Sequence, residues 1–324
     1  MIATIFMALA AGCTSALMFA SIISGALLSL LLCYLAPLPL LVAALGWGPF
    51  CAAIGGIVAA AGLTAIFGLA YGVAFTIAVA LPAWWLGHLA LLGRPITVGA
   101  ASPGTPSGAA RDLEWYPVGR ILLWIVGFAT LSTVAALLTL GTDAASITGV
   151  LRRGLLRLFE PHEAPLSEEA EHWVDALVTL APVAGVAVAQ MTLTLNLWLS
   201  AKITATSGRL HRPWPDLRCT VLPPMTLPAL FIAIAFCFTG GLVAILAQIA
   251  TAALMMAYAL VGFAVLHILT LQMKSRAFWL GTTYAIIIVF GWPILALVAL
   301  GLADALFDFR QRYRRGKPPP LPAS

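Results

Sequence analysis

The sequence predicts an all-α, polytopic bundle of transmembrane helices, about eight spans with nine as the alternative, and three observations carry that expectation. Hydrophobic residues make up 62% of the chain and charged residues 9%, against about 25% charged in an ordinary soluble domain, so too little polar surface exists to clothe a globular protein. The mean hydropathy is +1.02. Residues 1–92 contain His88 but no Asp, Glu, Lys or Arg, a run long enough for several crossings at about 20 residues each. The net charge of +5 comes from sparse Lys and Arg beside apolar segments. That distribution fits anionic headgroups and the positive-inside rule and does not point to nucleic acid.

The first run divides into four expected helices, 2–20, 24–45, 50–69 and 72–92, with Gly46-Trp-Gly-Pro49 and Ala70-Tyr-Gly72 as turns. No basic region precedes the apolar start, so the first helix is expected to be retained membrane structure rather than a secretory signal. Ala8, Gly12, Ala16 and Ala20 recur every four residues and form a stripe of small side chains on which another helix can approach closely. That helix belongs either to this chain or to a docking subunit. At Ala36-Pro-Leu-Pro39 the missing backbone donors should break or kink the helix. Such breaks at membrane depth need protein or a watery cavity over the freed carbonyls. The prolines therefore mark a simple kink, an interfacial turn or a solute site of the kind transporters build.

Residues 93–118 read as a flexible linker, rich in Gly, Ser, Pro and Ala over 99–110, and Glu114-Trp-Tyr-Pro117 brings interfacial aromatics ahead of a span at 119–141. The insert 142–172 is expected outside the hydrocarbon. Ile147, Leu151, Leu155 and Leu158 follow helical spacing while Arg152, Arg153 and Arg157 take other faces, the pattern of a short helix lying in the headgroup plane. Pro161 and Pro165 end it. Ser167 then caps a helix whose first turn holds Glu168, Glu169 and Glu171. Glu168, His172 and Asp175 have metal-compatible spacing, but a solvated acidic turn explains them as well, and no metal is predicted.

That helix is expected to run to about Ile203, kinked at Pro182. At about 37 residues and about 55 Å it projects beyond a hydrocarbon core of about 30 Å. Gln190 and Asn196 are its polar interior, placed either for interhelical hydrogen bonds or for solute contact. A basic loop over 202–224 follows. Residues 225–239 are apolar but number only fifteen, whereas 242–271 is long and carries Gln248 and His267. If every apolar segment crosses, nine spans place nine Lys and Arg on one side and eight on the other; if 225–239 is a re-entrant half-helix, eight spans divide them twelve to five. The second arrangement, with both termini cytoplasmic, is expected.

The stretch Gly262-Phe-Ala-Val-Leu-His267, a basic turn (Lys274, Arg276), an apolar span, then Gly301-Leu-Ala-Asp304 and Phe307-Asp-Phe-Arg310-Gln-Arg312 resembles the C-terminal signature of the YybS-like family of bacterial membrane proteins. Pro37-Leu-Pro39 and Asn196 ahead of a proline-containing basic loop resemble that family too, and the likeness covers the chain except 97–110 and 142–165. The resemblance implies a multi-pass protein of a bacterial inner membrane and assigns no activity. At the level of fold, the N-terminal helices are similar to the substrate-binding subunits of energy-coupling-factor vitamin transporters and to the rod-shape protein MreD.

Within the signature, His267 near a helix end serves either as an interfacial hydrogen-bonding group or in handling a proton or ligand. Asp304 and Asp308 are expected on one helical face with Arg312 four residues on. Two carboxylates at a helix C-terminus call for Arg310 or Arg312 as counter-charge, which reads as an anchor at the headgroups or as a functional carboxylate pair.

The domain organisation expected is a four-span bundle over 1–92, the linker, a second bundle over 119–306 and a basic, proline-rich tail over 307–324. Two functions fit. A solute-binding or transport-related subunit would use Gln190, Asn196, Gln248 and His267, and would need a separate energising partner because no GxxxxGK[ST] occurs. A non-catalytic membrane scaffold for envelope assembly or cell shape would use the same residues as packing glue. The partners expected are therefore the bilayer and either a transport coupling subunit or the envelope machinery. Neither HExxH nor GxSxG occurs, so no enzyme activity and no cofactor are expected, and the five cysteines read as small apolar residues.

Overall fold

The structure, a computed structural model, describes residues 2–95, 113–159 and 168–308. The expected all-α bundle is what it contains, and among the described residues seven helical stretches are long and apolar enough to cross a membrane. The chain divides into two compact units, Met1–Thr142 with Ser146–Trp214, and Asp143–Ala145 with Pro215–Ser324.

In the first unit the uncharged run forms α1 (Ile2–Ala20), α2 (Leu27–Tyr34), α3 (Pro37–Trp47), α4 (Pro49–Phe67), α5 (Leu69–Phe75) and α6 (Leu81–Leu91), with a π-helical segment Thr76–Ala80 between the last two. These make four candidate crossings, as the sequence predicts. The turns fall where glycine is needed: Gly48 has φ 101° and Gly68 φ 92°, in the left-handed region that a side chain disfavours. The second turn thus lies at Gly68 rather than at 70–72. Gly72 stays helical, and a Cβ there would overlap the Thr64 side chain.

The small-residue stripe meets a helix of this same chain. A Cβ on Gly12 would overlap the Gly55 carbonyl oxygen, and one on Gly55 would overlap that of Ala8, so α1 and α4 cross backbone to backbone. Ala16 and Ala20 pack, half-buried, on the same core. Leu40, Leu41, Phe75 and Leu86 fill that core completely buried. Outside it, Phe50 and Leu27 are 83% and 88% exposed, the surface of a protein whose solvent is lipid.

After α6, β1 (Gly93–Pro95) and β2 (Leu113–Trp115) pair antiparallel, with Arg94 and Glu114 bridged at 3.2 Å. The flexible stretch between them lies outside the described residues. α7 (Val118–Leu138), most of α8 (Ala144–Phe159) and α9 (Glu168–Thr206) complete the first unit. The observed boundary therefore falls at Trp214–Pro215 and not at the linker. Ile121, Ile125 and Phe128 of α7 and Leu193 of α9 share one hydrophobic core with the first four crossings.

On α8, Ile147 of the expected apolar stripe is fully buried and Leu151 and Leu155 are half-buried. Its Arg152 faces the acidic first turn of α9, 3.7 Å from Glu171 and 3.5 Å from Asp175. The acids expected as a solvated turn thus sit beside a counter-charge. The Ser167 cap lies outside the described residues. α9 has 39 residues and accommodates Pro182 within it.

The second unit contains α10 (Thr226–Phe236), α11 (Gly241–Leu269), α12 (Arg276–Phe290) and α13 (Ile294–Phe307). α10, with 11 residues, is about 16 Å long at about 1.5 Å per residue, shorter than a hydrocarbon core of about 30 Å. α11 and α13 touch at glycine: a Cβ on Gly262 would overlap the Leu297 carbonyl oxygen, and one on Gly301 that of Tyr258. The Tyr258 hydroxyl, almost wholly buried, meets Thr226 Oγ1 at 2.9 Å and ties α10 to α11. The last apolar stretch, expected as one span, is delivered as α12 and α13, of 15 and 14 residues. Gly291 between them has φ 70° and ψ −56°, and Pro293 follows.

Candidate functional site

The first unit holds a cavity of about 380 Å³ beside the break between α2 and α3, within the range of about 300–1,000 Å³ typical of small-molecule sites. Cys33, Tyr34 and Pro37 line it from the break and Phe19 from α1. Ala78 and Val79 come from the π-helical segment, Ser132 from α7, and Ala184, Gly185, Val188, Ala189, Thr192 and Leu193 from α9. Tyr34 is 40% exposed, so the cavity opens at the surface of the unit.

Each wall has a local cause. Pro37 and Pro39 cannot donate to Cys33 and Leu35, and the chain passes through one tight turn: Ala36 N–H donates to Cys33 O at 3.1 Å and Leu38 N–H to Leu35 O at 3.0 Å. Pro82 likewise cannot donate to Ala78, and the turn before it widens into the π-helical segment. Small residues at 184, 185 and 189 leave α9 without bulk on this side.

The break is sealed by protein. The tight turn strips the Tyr34 carbonyl of its helical donor, and Asn196 Nδ2 donates to it at 2.8 Å while also bonding Thr192 O at 2.8 Å. Ser15 Oγ donates to the Ala36 carbonyl. The carbonyls that a transporter-like break would offer to a solute are thus held by side chains. What faces the cavity is an apolar wall carrying the hydroxyl-bearing residues Tyr34, Ser132 and Thr192.

The residues predicted from sequence divide sharply. Asn196 lies one hydrogen bond from the cavity lining, and its Oδ1 is buried without a partner among the described residues. Gln190 is fully buried, with neither amide atom bonded among the described residues. It lies about 160° around α9 from both Val188 and Thr192, at about 100° per residue, so it does not join the cavity. Gln248 is half-buried on α11, in the other unit.

His267 Nδ1 is 2.8 Å from the Phe263 carbonyl, which can only accept, so Nδ1 carries the proton. Nε2 is 3.2 Å from the Tyr284 hydroxyl, tying α11 to α12. Both ring nitrogens thus have partners near the end of α11. Asp304 is buried on α13 and 4% exposed. Asp308 does not continue its face. It leaves the helix with φ 51° and ψ 48°, and its N–H donates to the Asp304 carbonyl at 2.9 Å as the terminal cap. Asp tolerates this left-handed conformation better than most residues. Arg310 and Arg312 lie outside the described residues.

The sequence reading overlooked Tyr34, Ser132, Thr192 and the π-helical segment. The Leu81-Pro82 pair was the available signal for the last, because a proline frees the carbonyl four residues earlier.

At one end of this unit Arg212 donates to the carbonyls of Ala90 at 3.2 Å and Tyr116 at 3.1 Å, stapling the end of α6 to the approach to α7. Burial lowers its pKa from the usual guanidinium value. Among the described residues no group of three or more His, Cys, Asp or Glu is placed to hold a metal ion. No family model, curated protein or solved structure matches the chain.

Proposed function

We propose that this chain is a multi-pass protein of a bacterial inner membrane that binds a small, mainly apolar solute in the cavity of its first unit. It would act as the membrane subunit of a transport system energised by another protein. The cavity itself carries the reading: about 380 Å³, bounded by a broken helix and a π-helical turn, with few hydroxyl-bearing residues in an apolar lining. Interrupted helices beside a cavity are how many membrane proteins build solute sites. The hydroxyls would orient the solute, and the apolar wall would supply most of its contact area.

The resemblance of 262–312 to the YybS-like family fits this reading without naming a substrate. In the eight-span arrangement, which takes α12 and α13 together as one crossing, twelve of the seventeen basic residues fall on one side, which supports cytoplasmic termini. A C-terminal reporter active only in the periplasm would overturn that orientation.

Thermal melting of the purified full chain against a panel of small apolar solutes tests the binding. A stabilising solute is expected, and Ala189→Trp, which places an indole in the cavity, is expected to abolish the shift. A shift unchanged in Ala189→Trp places binding elsewhere. Co-purification of a transport ATPase in mild detergent supports the subunit role. The scaffold reading keeps one specific observation in its favour, since Asn196 does act as interhelical glue at Tyr34; recovery of envelope proteins with no solute response would establish it instead.

A further inference from the structure

The end of the first unit reached by α3, α6 and α9 gathers aromatic rings and cations in a defined arrangement. Lys202 Nζ stands 4.3 Å from the centroid of the Trp214 ring and 6.0 Å from that of Trp198. The Arg209 guanidinium stands 4.5 Å from the centroid of Trp47, the last residue of α3. Lys202 and Trp198 stand on α9, and the loop that carries Arg209 and Trp214 is fixed. Gly208 turns at φ 67°, Arg209 N–H donates to the Thr204 carbonyl at 2.9 Å, and Arg212 is stapled to Ala90 and Tyr116.

Neither Lys202 nor Arg209 forms an ion pair with a carboxylate among the described residues; Glu114 at this end is paired with Arg94. A cation held over a ring face keeps its N–H donors directed elsewhere, and both side chains are exposed. Tryptophan and long cationic side chains at the end of apolar helices belong at the depth of the lipid headgroups. The group that satisfies two exposed, ring-braced cations at that depth is a phosphodiester.

We propose that Lys202 and Arg209, braced on Trp214 and Trp47, bind the phosphate of an anionic phospholipid at this end of the first unit. The occupant is a lipid rather than a soluble anion because the braces are interfacial aromatics and the helices that end here expose apolar flanks. Leu195 and Ile203 of α9 are 47% and 44% exposed, and they would lie along the acyl chains. This inference is independent of the solute cavity.

The test is native mass spectrometry and thermal melting of the delipidated full chain, with phosphatidylglycerol, phosphatidylcholine or inorganic phosphate added separately. Retention of phosphatidylglycerol and a raised melting temperature are expected, with little response to phosphatidylcholine and none to phosphate. The double variant K202Q/R209Q is expected to lose about tenfold in phosphatidylglycerol affinity, while R152Q and the charge-preserving R209K retain it. If the double variant folds poorly, a salt titration of the wild-type chain decides instead, since added salt should weaken phosphatidylglycerol binding and spare phosphatidylcholine. Equal response to both lipids, an unchanged double variant or stabilisation by phosphate alone would overturn the assignment.

Discussion

Proline interrupts an apolar run at residues 37–39 and again at 293, and the chain treats the two sites differently. Leu27–Trp47 continues through its interruption as one candidate span of 21 residues, whereas the later run becomes two helices of 15 and 14 residues. At the first site Leu35 (φ −90°, ψ 0°) and Ala36 (φ −55°, ψ −34°) both keep negative φ, so one tight turn carries the helix onward. Gly291, at the second, has φ 70° and ends α12 outright. The carbonyls also fare differently. At the first site the Cys33 and Leu35 carbonyls take local N–H donors, and those of Tyr34 and Ala36 are held from a distance by Asn196 and Ser15. Near the second, Ile294 N–H donates to Gly291 O at 3.1 Å and Leu295 N–H to Trp292 O at 3.0 Å, while the Trp292 side chain is 70% exposed. Proline frees a carbonyl in both places; whether the span survives depends on the next backbone dihedral and on a polar side chain from another helix.

Five substitutions break or sharpen this contrast. The largest effect is expected where α13, which follows the second break, is held against α11. Gly301→Ala should destabilise by about 1–3 kcal/mol, as overpacking does, and lower the melting temperature in detergent. A wild-type melt would mean that the Gly262–Gly301 crossing is not closed as described. Asn196→Leu comes next. It leaves the Tyr34 carbonyl orphaned among apolar groups at a cost of about 1–2 kcal/mol, and Ser15→Ala should do the same to a lesser degree at Ala36. No loss in Asn196→Leu would show that the first break needs no cap.

Gly291→Ala should cost about 1 kcal/mol, the penalty for a side chain at positive φ, read as a lower melting temperature. The smallest effect belongs to Pro37→Ala, below about 1 kcal/mol, because the negative-φ turn already suits any residue. If Pro37→Ala instead melts well below Gly291→Ala, the proline shapes the first break more than its neighbours do.

Much of this was legible in the residues, for reasons that differ from place to place. The four early crossings were legible because lipid leaves an uncharged run of this length no alternative to helices. The Ala8–Ala20 stripe could be read as a close-approach surface, but a stripe of small residues does not say which helix approaches. The structure gives that role to α4 through Gly55. Asn196 was singled out as an amide needing a partner, and its partner is a carbonyl 162 residues away. Gln190, chosen on the same argument, lies on the opposite side of α9 from the cavity, because residue type does not fix the face a tertiary partner will claim. Asp308 was placed on the Asp304 face by assuming that the helix continued, whereas a left-handed residue ends it. The cavity lining was the least legible, since Ala184, Gly185 and Ala189 carry no chemical signature.

The sequence by itself determined that the chain is a membrane-embedded all-α bundle, where most of its crossings lie and where prolines must disturb them, because solvation by lipid and the missing proline N–H act on local residues alone. Only the tertiary structure decided which disturbed helix stays whole, where the two units divide and that a cavity opens beside Tyr34. Those outcomes depend on side chains far apart in the chain meeting one another, and no local pattern encodes the meeting.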